Sequence, residues 1–267
     1  MARSVTNFYS YVLNRAVDIS VVVPSVTCPE SLGLTGETPS HQLPAPFPVL
    51  YLLHGFGNNH AQWMGYSNVE MYAEERRIAV VTMSAENKGY AKVGGDDFKR
   101  FVDVELPEFV TSYFPVSAKP EETYIAGLSM GGFGALYHGL AHPERYRAIG
   151  SFSGGIGINP ETLANNVHIG DQGAPLPEEY DLAALAKKDV EAGVKLPPLY
   201  IACGTEDFLY KANAAFVDEL KGLGTDITWD AVEGYTHEWR FWDLEVERFL
   251  DWIPRDDIYA KMGKRSV

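Results

Sequence analysis

The chain has 267 residues, 46% of them hydrophobic, and a formal net charge of −14. That length suits one large domain able to bury most of its apolar surface. The acidic balance, with no basic cluster beyond pairs such as Arg76-Arg77, argues against nucleic acid and anionic membrane as partners.

In chain order, residues 5–12 and 16–24 alternate as strands with Asn14-Arg15 as the turn between them, so the fold is expected to begin antiparallel. Residues 25–46 are rich in turn formers and read as a loop. Phe47–Leu53 is a short apolar strand that ends in His54-Gly55-Phe56-Gly57. Residues 67–77 read as helix and Ile78–Met83 as a buried strand. A long amphipathic helix is expected over 96–114, where Pro107 predicts a kink or a restart. Thr123–Ala126 is the next strand, and a helix rich in small residues follows over 132–141 until His142-Pro143 stops it. After a strand at Ala148–Ser153 comes a polar stretch, 156–196, with a helical patch near Leu182–Lys188. A strand at 198–203, a helix at 211–222, a strand at Ile227–Val232 and a helix at 239–252 complete the chain.

Apolar strands alternating with helices predict an α/β fold: a mostly parallel central sheet with an antiparallel start and helices on both faces. One domain over 1–267 is expected. Residues 156–196 are too short and too polar for a core of their own and read as a small cap-like insertion.

Two cysteines, Cys28 and Cys203, make no disulfide framework, and Cys203 lies in an apolar run that marks it as a buried small side chain. The first ten residues lack the pattern of a signal peptide, and no apolar run approaches a membrane span, so the expected location is cytoplasmic.

Gly127-Leu128-Ser129-Met130-Gly131 has the Gly-x-Ser-x-Gly spacing of a nucleophile elbow. With 25 glycines and 14 serines in the chain, about 0.1 such matches arise by chance. The placement between a strand and a helix adds weight, because a sharp strand-to-helix turn is what presents a serine hydroxyl above a sheet. The flanking glycines are needed where side chains would strike the neighbouring strand and helix.

A serine nucleophile requires a base. Of the seven histidines, His237 follows a late strand on a loop that leads into the last helix, which is where a triad histidine belongs. His138 and His142 read as helix-face residues, and His41, His60 and His168 sit in polar loops; His54 reads as a structural residue of the loop beside the site. The base needs an orienting carboxylate. Asp207, four residues past the strand at 198–203, is the best placed, with Glu206 as its immediate rival. Ser129, Asp207 and His237 then occur in the chain order of an α/β-hydrolase. Charge that develops on a substrate oxygen needs amide donors. Met130, directly after the serine, supplies one, and the Gly-rich loop after the third strand supplies the other, through Phe56 or, second, Gly55.

Trp63, Tyr66, Phe133, Trp239 and Trp242 are candidates for the walls of a substrate pocket, although each is equally readable as a core aromatic. No Cys/His spacing suggests a metal site, and Gly131-Gly-Phe-Gly134 lacks the lysine of a phosphate loop, so neither a metal nor a nucleotide cofactor is expected.

Across nearly its whole length the chain resembles the esterase D-type putative esterases, α/β-hydrolases. The likeness is greatest to small bacterial tributyrin esterases, which are similar to S-formylglutathione hydrolases and to some feruloyl and acetyl-xylan esterases. The residues that carry it are Leu53–Gly57, Ala126–Ala135, Phe152–Gly154, Cys203–Tyr210 and Thr236–Trp239 with Trp242. The resemblance implies a cofactor-independent serine carboxylesterase for short-chain acyl esters, with Ser129 as nucleophile, Asp207 as orienter, His237 as base and the amides of Phe56 and Met130 as oxyanion donors. It also implies a small-molecule ester as partner and a tendency to form homo-oligomers. A feruloyl or acetyl-xylan-type esterase acting on acylated plant saccharides is the alternative; an S-formylglutathione hydrolase and a non-catalytic binding protein on the same fold rank lower.

Overall fold

The computed structural model describes residues 1–165 and 176–267. Its centre is an eight-stranded sheet of β1 (Ala2–Ser10), β2 (Arg15–Val23), β3 (Val49–Leu53), β4 (Ala79–Met83), β5 (Thr123–Leu128), β6 (Ala148–Phe152), β7 (Leu199–Gly204) and β8 (Ile227–Val232), in the order β1-β2-β4-β3-β5-β6-β7-β8. β1 pairs antiparallel with β2 in unbroken register from Ala2↔Val23 to Ser10↔Arg15, and β2 pairs antiparallel with β4. All the other neighbours are parallel. The opening hairpin turns at Asn14, whose φ of 52° is one that asparagine tolerates.

Side chains alternate across the sheet and make two cores. Val49, Tyr51 and Leu53 of β3 face one layer with Val81, Ile125, Ile149 and Ile201; Leu50 and Leu52 face the other with Val80, Ala126, Phe152 and Tyr200. On this second face lie α1 (Val69–Arg76), through Val69 and Tyr72, and the last helix, through Phe241, Val246 and Phe249. The first face is covered by α2 (Leu106–Tyr113), α3 (Met130–Ala141), α4 (Leu182–Glu191) and α5 (Tyr210–Gly222). The last helix is α6 (Trp239–Trp252). Helices thus lie on both faces of a mostly parallel sheet, as the alternation predicted.

Two departures have local causes. The helix expected over 96–114 is composite: Phe98–Arg100 is α-helical, Phe101–Glu105 is a π-turn, and α2 restarts beside Pro107. Proline has no N–H for the carbonyl four residues back, and that carbonyl, of Asp103, accepts from the Arg145 guanidinium instead. A two-residue hairpin, Lys92–Val93 with Asp96–Asp97, was not anticipated, although the Gly94-Gly95 turn between its strands is a hairpin signal. Residues 166–175 of the expected insertion lie outside the described residues; among the rest, α4 buries Leu182 and Ala186 in the first core, and Tyr180 packs edge-on against Phe133 and Tyr137.

The strand order puts β3 beside β5, with Leu53 opposite Gly127. The loops that leave these strands therefore emerge side by side at the carboxyl edge of the sheet. The loops after β6, β7 and β8 leave from the same edge.

Candidate active site

Ser129 occupies the turn between β5 and α3 with φ 52° and ψ −116°, a conformation that side-chain-bearing residues rarely adopt. It is over-determined by its neighbours: the Ser129 N–H donates to Phe152 O at 2.9 Å, and its carbonyl accepts from the N–H groups of Phe133 (3.0 Å) and Gly155 (2.9 Å). The flanking glycines permit the close approach. A Cβ on Gly127 would lie 2.3 Å from the Gly131 carbonyl oxygen, and one on Gly131 would lie 2.4 Å from that of Leu53.

The loops after β7 and β8 are stitched to one another. Thr205 N–H donates to Val232 O at 3.0 Å, Glu206 N–H to Tyr235 O at 3.0 Å, and Gly234 N–H to the Thr205 hydroxyl at 3.0 Å. This brings His237 against Asp207, with Nδ1 at 2.8 Å from Oδ2, while Nε2 lies 3.0 Å from the Ser129 hydroxyl. Asp207 is buried, whereas the Glu206 carboxylate is exposed and accepts from the Thr205 hydroxyl at 3.4 Å. The choice between them therefore falls on Asp207. A continuous line of hydrogen bonds runs from carboxylate through imidazole to hydroxyl.

A family model described as "putative esterase" matches residues 34–254. Over 96% of the chain and 99% of the relative, the sequence is 31% identical to an acetyl esterase of Caldicellulosiruptor saccharolyticus. The chain belongs to the putative esterase family. Solved structures with the same fold include fluorophosphonate-binding serine hydrolase F of Staphylococcus aureus, with a TM-score of 0.81 and 24% identity over 96% of this chain and 99% of that one. An S-formylglutathione hydrolase from the same organism aligns with a TM-score of 0.77 and 24% identity over 94% and 98% of the two chains. The protein is thus an enzyme that hydrolyses carboxylic esters.

In this esterase the Asp207 carboxylate is kept charged against its burial. Burial alone would raise its pKa, but hydrogen bonds from His237, from the Leu209 N–H and from the Ser153 hydroxyl hold it below the usual carboxylate range. Ser153, directly after β6, lies in the Phe152–Gly154 segment of the resemblance, where the sequence assigns it no role. It is fully buried with φ 47°, and its oxygen accepts from the Trp242 indole N–H at 3.3 Å. Its signal was available in its position: Ser129, Asp207 and His237 all follow strands that end on this edge, and Ser153 directly follows another.

The Gly-rich loop after β3 lies directly against the serine. A Cβ on Gly55 would stand 2.5 Å from Leu128 Cδ1 and 3.4 Å from Ser129 Cβ, so close approach rather than φ is what favours glycine there. Among the described residues neither the Phe56 N–H nor the Met130 N–H has an acceptor. Met130 is the first residue of α3, where backbone donors are left over by the helix itself. His54 is fully buried, and burial pushes its pKa down to about 4.

Of the aromatic residues proposed to line the pocket, Trp63 must be corrected. It is fully buried in the second core, and its indole N–H donates to the Leu53 carbonyl at 3.0 Å, so it anchors the end of β3 and offers no surface to a ligand. Phe133 is likewise a core residue. Trp242 packs edge-on against His237 at 4.9 Å and is mostly buried, whereas Trp239 is half-buried between Trp63, Tyr66 and Trp242. Two rings stand exposed near the triad: Phe56 on the Gly-rich loop after β3, and Phe208, tilted over His237 at 4.8 Å. Cys203 is buried, and burial raises its thiol pKa to about 12, which keeps it inert. No cluster of metal-ligating side chains occurs among the described residues, and no helix of the described residues is long and apolar enough to cross a membrane.

Proposed function

We propose that this esterase hydrolyses short-chain acyl esters in two acyl-transfer steps. His237 Nε2 takes the proton of Ser129 as Oγ attacks the ester carbonyl. The Phe56 and Met130 amides, with Gly55 giving the loop its close approach, hold the oxyanion. Collapse expels the alcohol, which receives the proton from His237. A water molecule then repeats the cycle on the acyl-enzyme, with His237 as base, and releases the acid. Asp207 stays ionised throughout, fixes the Nδ1–H tautomer and stabilises the imidazolium that forms in each step. These steps use only protein groups and water.

The observation that carries this reading is the line Asp207–His237–Ser129 at 2.8 and 3.0 Å. The acetyl esterase relative supports a small acyl group, and the exposed Phe56, next to Gly55, and Phe208, over His237, supply apolar surface for an acyl or alcohol moiety, with Trp239 and Trp242 behind them as candidates for its walls. The test is turnover of p-nitrophenyl esters from acetate to octanoate, with methyl ferulate alongside. Acetate and butyrate are expected to turn over fastest, and Ser129→Ala to lower kcat by at least about 10⁴-fold. Preferential turnover of methyl ferulate would move the substrate to feruloylated plant saccharides, and a Ser129→Ala protein with most of its rate intact would exclude the mechanism.

A further inference from the structure

The loop His54–Gly57 holds the peptide unit whose N–H is assigned to the oxyanion, and a peptide in a glycine-rich loop is free to turn over unless something fixes it. The Gly55 carbonyl and the Phe56 N–H belong to one trans peptide, so they point in opposite directions. Whatever captures the carbonyl therefore aims the N–H.

His54 captures it. Its Nδ1 lies 2.8 Å from Gly55 O, and its Nε2 lies 2.9 Å from the Ala85 backbone nitrogen. Ala85 N–H can only donate and Gly55 O can only accept. The ring consequently has to be neutral, with its proton on Nδ1. The ring itself is fixed from outside the loop: it is fully buried beside the Tyr90 ring, the Tyr90 hydroxyl donates to the His54 carbonyl at 2.9 Å, and Trp63 holds the preceding carbonyl. One residue later, the Gly57 N–H donates to Asn87 Oδ1 at 2.8 Å. Each peptide from Leu53 to Gly57 thus has a tether, and the one at Gly55 is the His54 side chain, supplemented by the Asn58 N–H at 3.2 Å.

We infer that His54 is a positioning residue for the oxyanion hole: as a neutral Nδ1–H donor to the Gly55 carbonyl, it turns the Phe56 N–H away from itself and toward the reacting oxygen. This rests on the reading of Ser129 as nucleophile and Phe56 as oxyanion donor. It assigns the buried histidine a part in transition-state stabilisation without contact with substrate.

Two substitutions separate this from simple structural support. In His54→Asn the side-chain amide nitrogen can take the place of Nδ1 and keep the bond to Gly55 O, losing only the acceptor for Ala85. In His54→Gln the terminal oxygen can take the place of Nε2 and keep the acceptor for Ala85, losing the donor to Gly55 O. The inference expects His54→Gln to lose ~100-fold or more in kcat on p-nitrophenyl acetate, the effect of one missing oxyanion donor, with KM within about twofold and His54→Asn retaining most of kcat. A trifluoromethyl ketone, which binds as an oxyanion, should lose affinity for His54→Gln in parallel. Equal losses in both variants that track their melting temperatures, or an undiminished His54→Gln, would overturn it. Should either variant fail to fold, nitrogen-15 NMR of the wild type decides: a neutral Nδ1–H ring at pH 6–8 is expected, and an Nε2–H ring overturns the inference. The Ser129→Ala result reports separately on the underlying mechanism, since an active Ser129→Ala protein would refute the nucleophile and leave the tautomer of His54 unaffected.

Discussion

At Ser129 backbone strain and chemistry meet. A left-handed φ on a residue with a side chain costs about 1–3 kcal/mol and survives only where the surroundings impose it. Here they do so through three backbone hydrogen bonds and two glycines that admit carbonyl oxygens where a Cβ would stand. Gly131→Ala, which drives a methyl into the Leu53 and His54 carbonyls, is therefore expected to cost at least about 2 kcal/mol and to abolish turnover; urea unfolding with parallel kinetics checks both. Asp207→Asn tests the other end of the line. The amide replaces an acceptor that fixes the His237 tautomer, so kcat should fall by about 10³–10⁴-fold, while the melting temperature stays within a few degrees. A loss of activity that merely followed unfolding would show that Asp207 is structural.

At the scale of elements, the composite helix over Phe98–Tyr113 shows how one proline changes the role of its neighbours. The π-turn at Phe101–Glu105 carries Asp103 inward, where its carboxylate meets His138 Nδ1 at 2.7 Å, Lys99 at 2.9 Å and His142 at 3.2 Å. His138 and His142, read from the sequence as residues on a helix face, are thus the contacts that pin α3 to this segment. Burial opposes the charge on Asp103, but the bonds to His138 and Lys99 prevail and hold its pKa well below the usual range. The stabilisation is complete above the ordinary carboxylate pKa of about 4 and is lost as pH falls through the depressed value. Asp103→Ala, which leaves the buried His138 Nδ1 without its acceptor and Lys99 without its partner, should cost about 3 kcal/mol at neutral pH, and the cost should shrink in acid. Chemical denaturation of both proteins at pH 7 and pH 3 measures this; a cost independent of pH would refute the ion-pair account.

For the whole molecule, global stability should carry a second pH dependence of opposite sign. Glu245 on α6 is fully buried beneath β7 and β8. Burial, reinforced by Asp230, raises its pKa from 4.5 to about 7, although the Tyr200 hydroxyl at 2.9 Å and Arg248 at 3.0 Å pull the other way. Between these two values the folded state holds a proton that the unfolded chain has released, so stability falls as pH rises from about 4.5 to about 7. The full effect is at most about 3 kcal/mol. Glu245→Gln removes the titration, and its stability relative to wild type should improve by about 1–3 kcal/mol from pH 5 to pH 8. A constant difference between the two proteins would show that Glu245 ionises normally in the fold.

What the sequence determined by itself is local. The period of its apolar residues set the strands and helices on both sides of Ser129, and the turn chemistry after β5, β7 and β8 placed Ser129, Asp207 and His237 at strand ends in a recognisable order. Those signals lie within a few residues of what they specify, which is why β8 and α6 occupy the expected bounds. Only the tertiary structure decided which strand ends meet. The exchange of β3 and β4 in the sheet sets the His54–Gly57 loop beside the serine, and the stitching of two loops chooses Asp207 over Glu206. It also turned Trp63 from a pocket wall into an anchor for β3 and gave His54 its tautomer. Those outcomes depend on partners that are distant along the chain, such as Leu53 for Trp63 and Ala85 for His54, and no local pattern records which buried donor will find which acceptor.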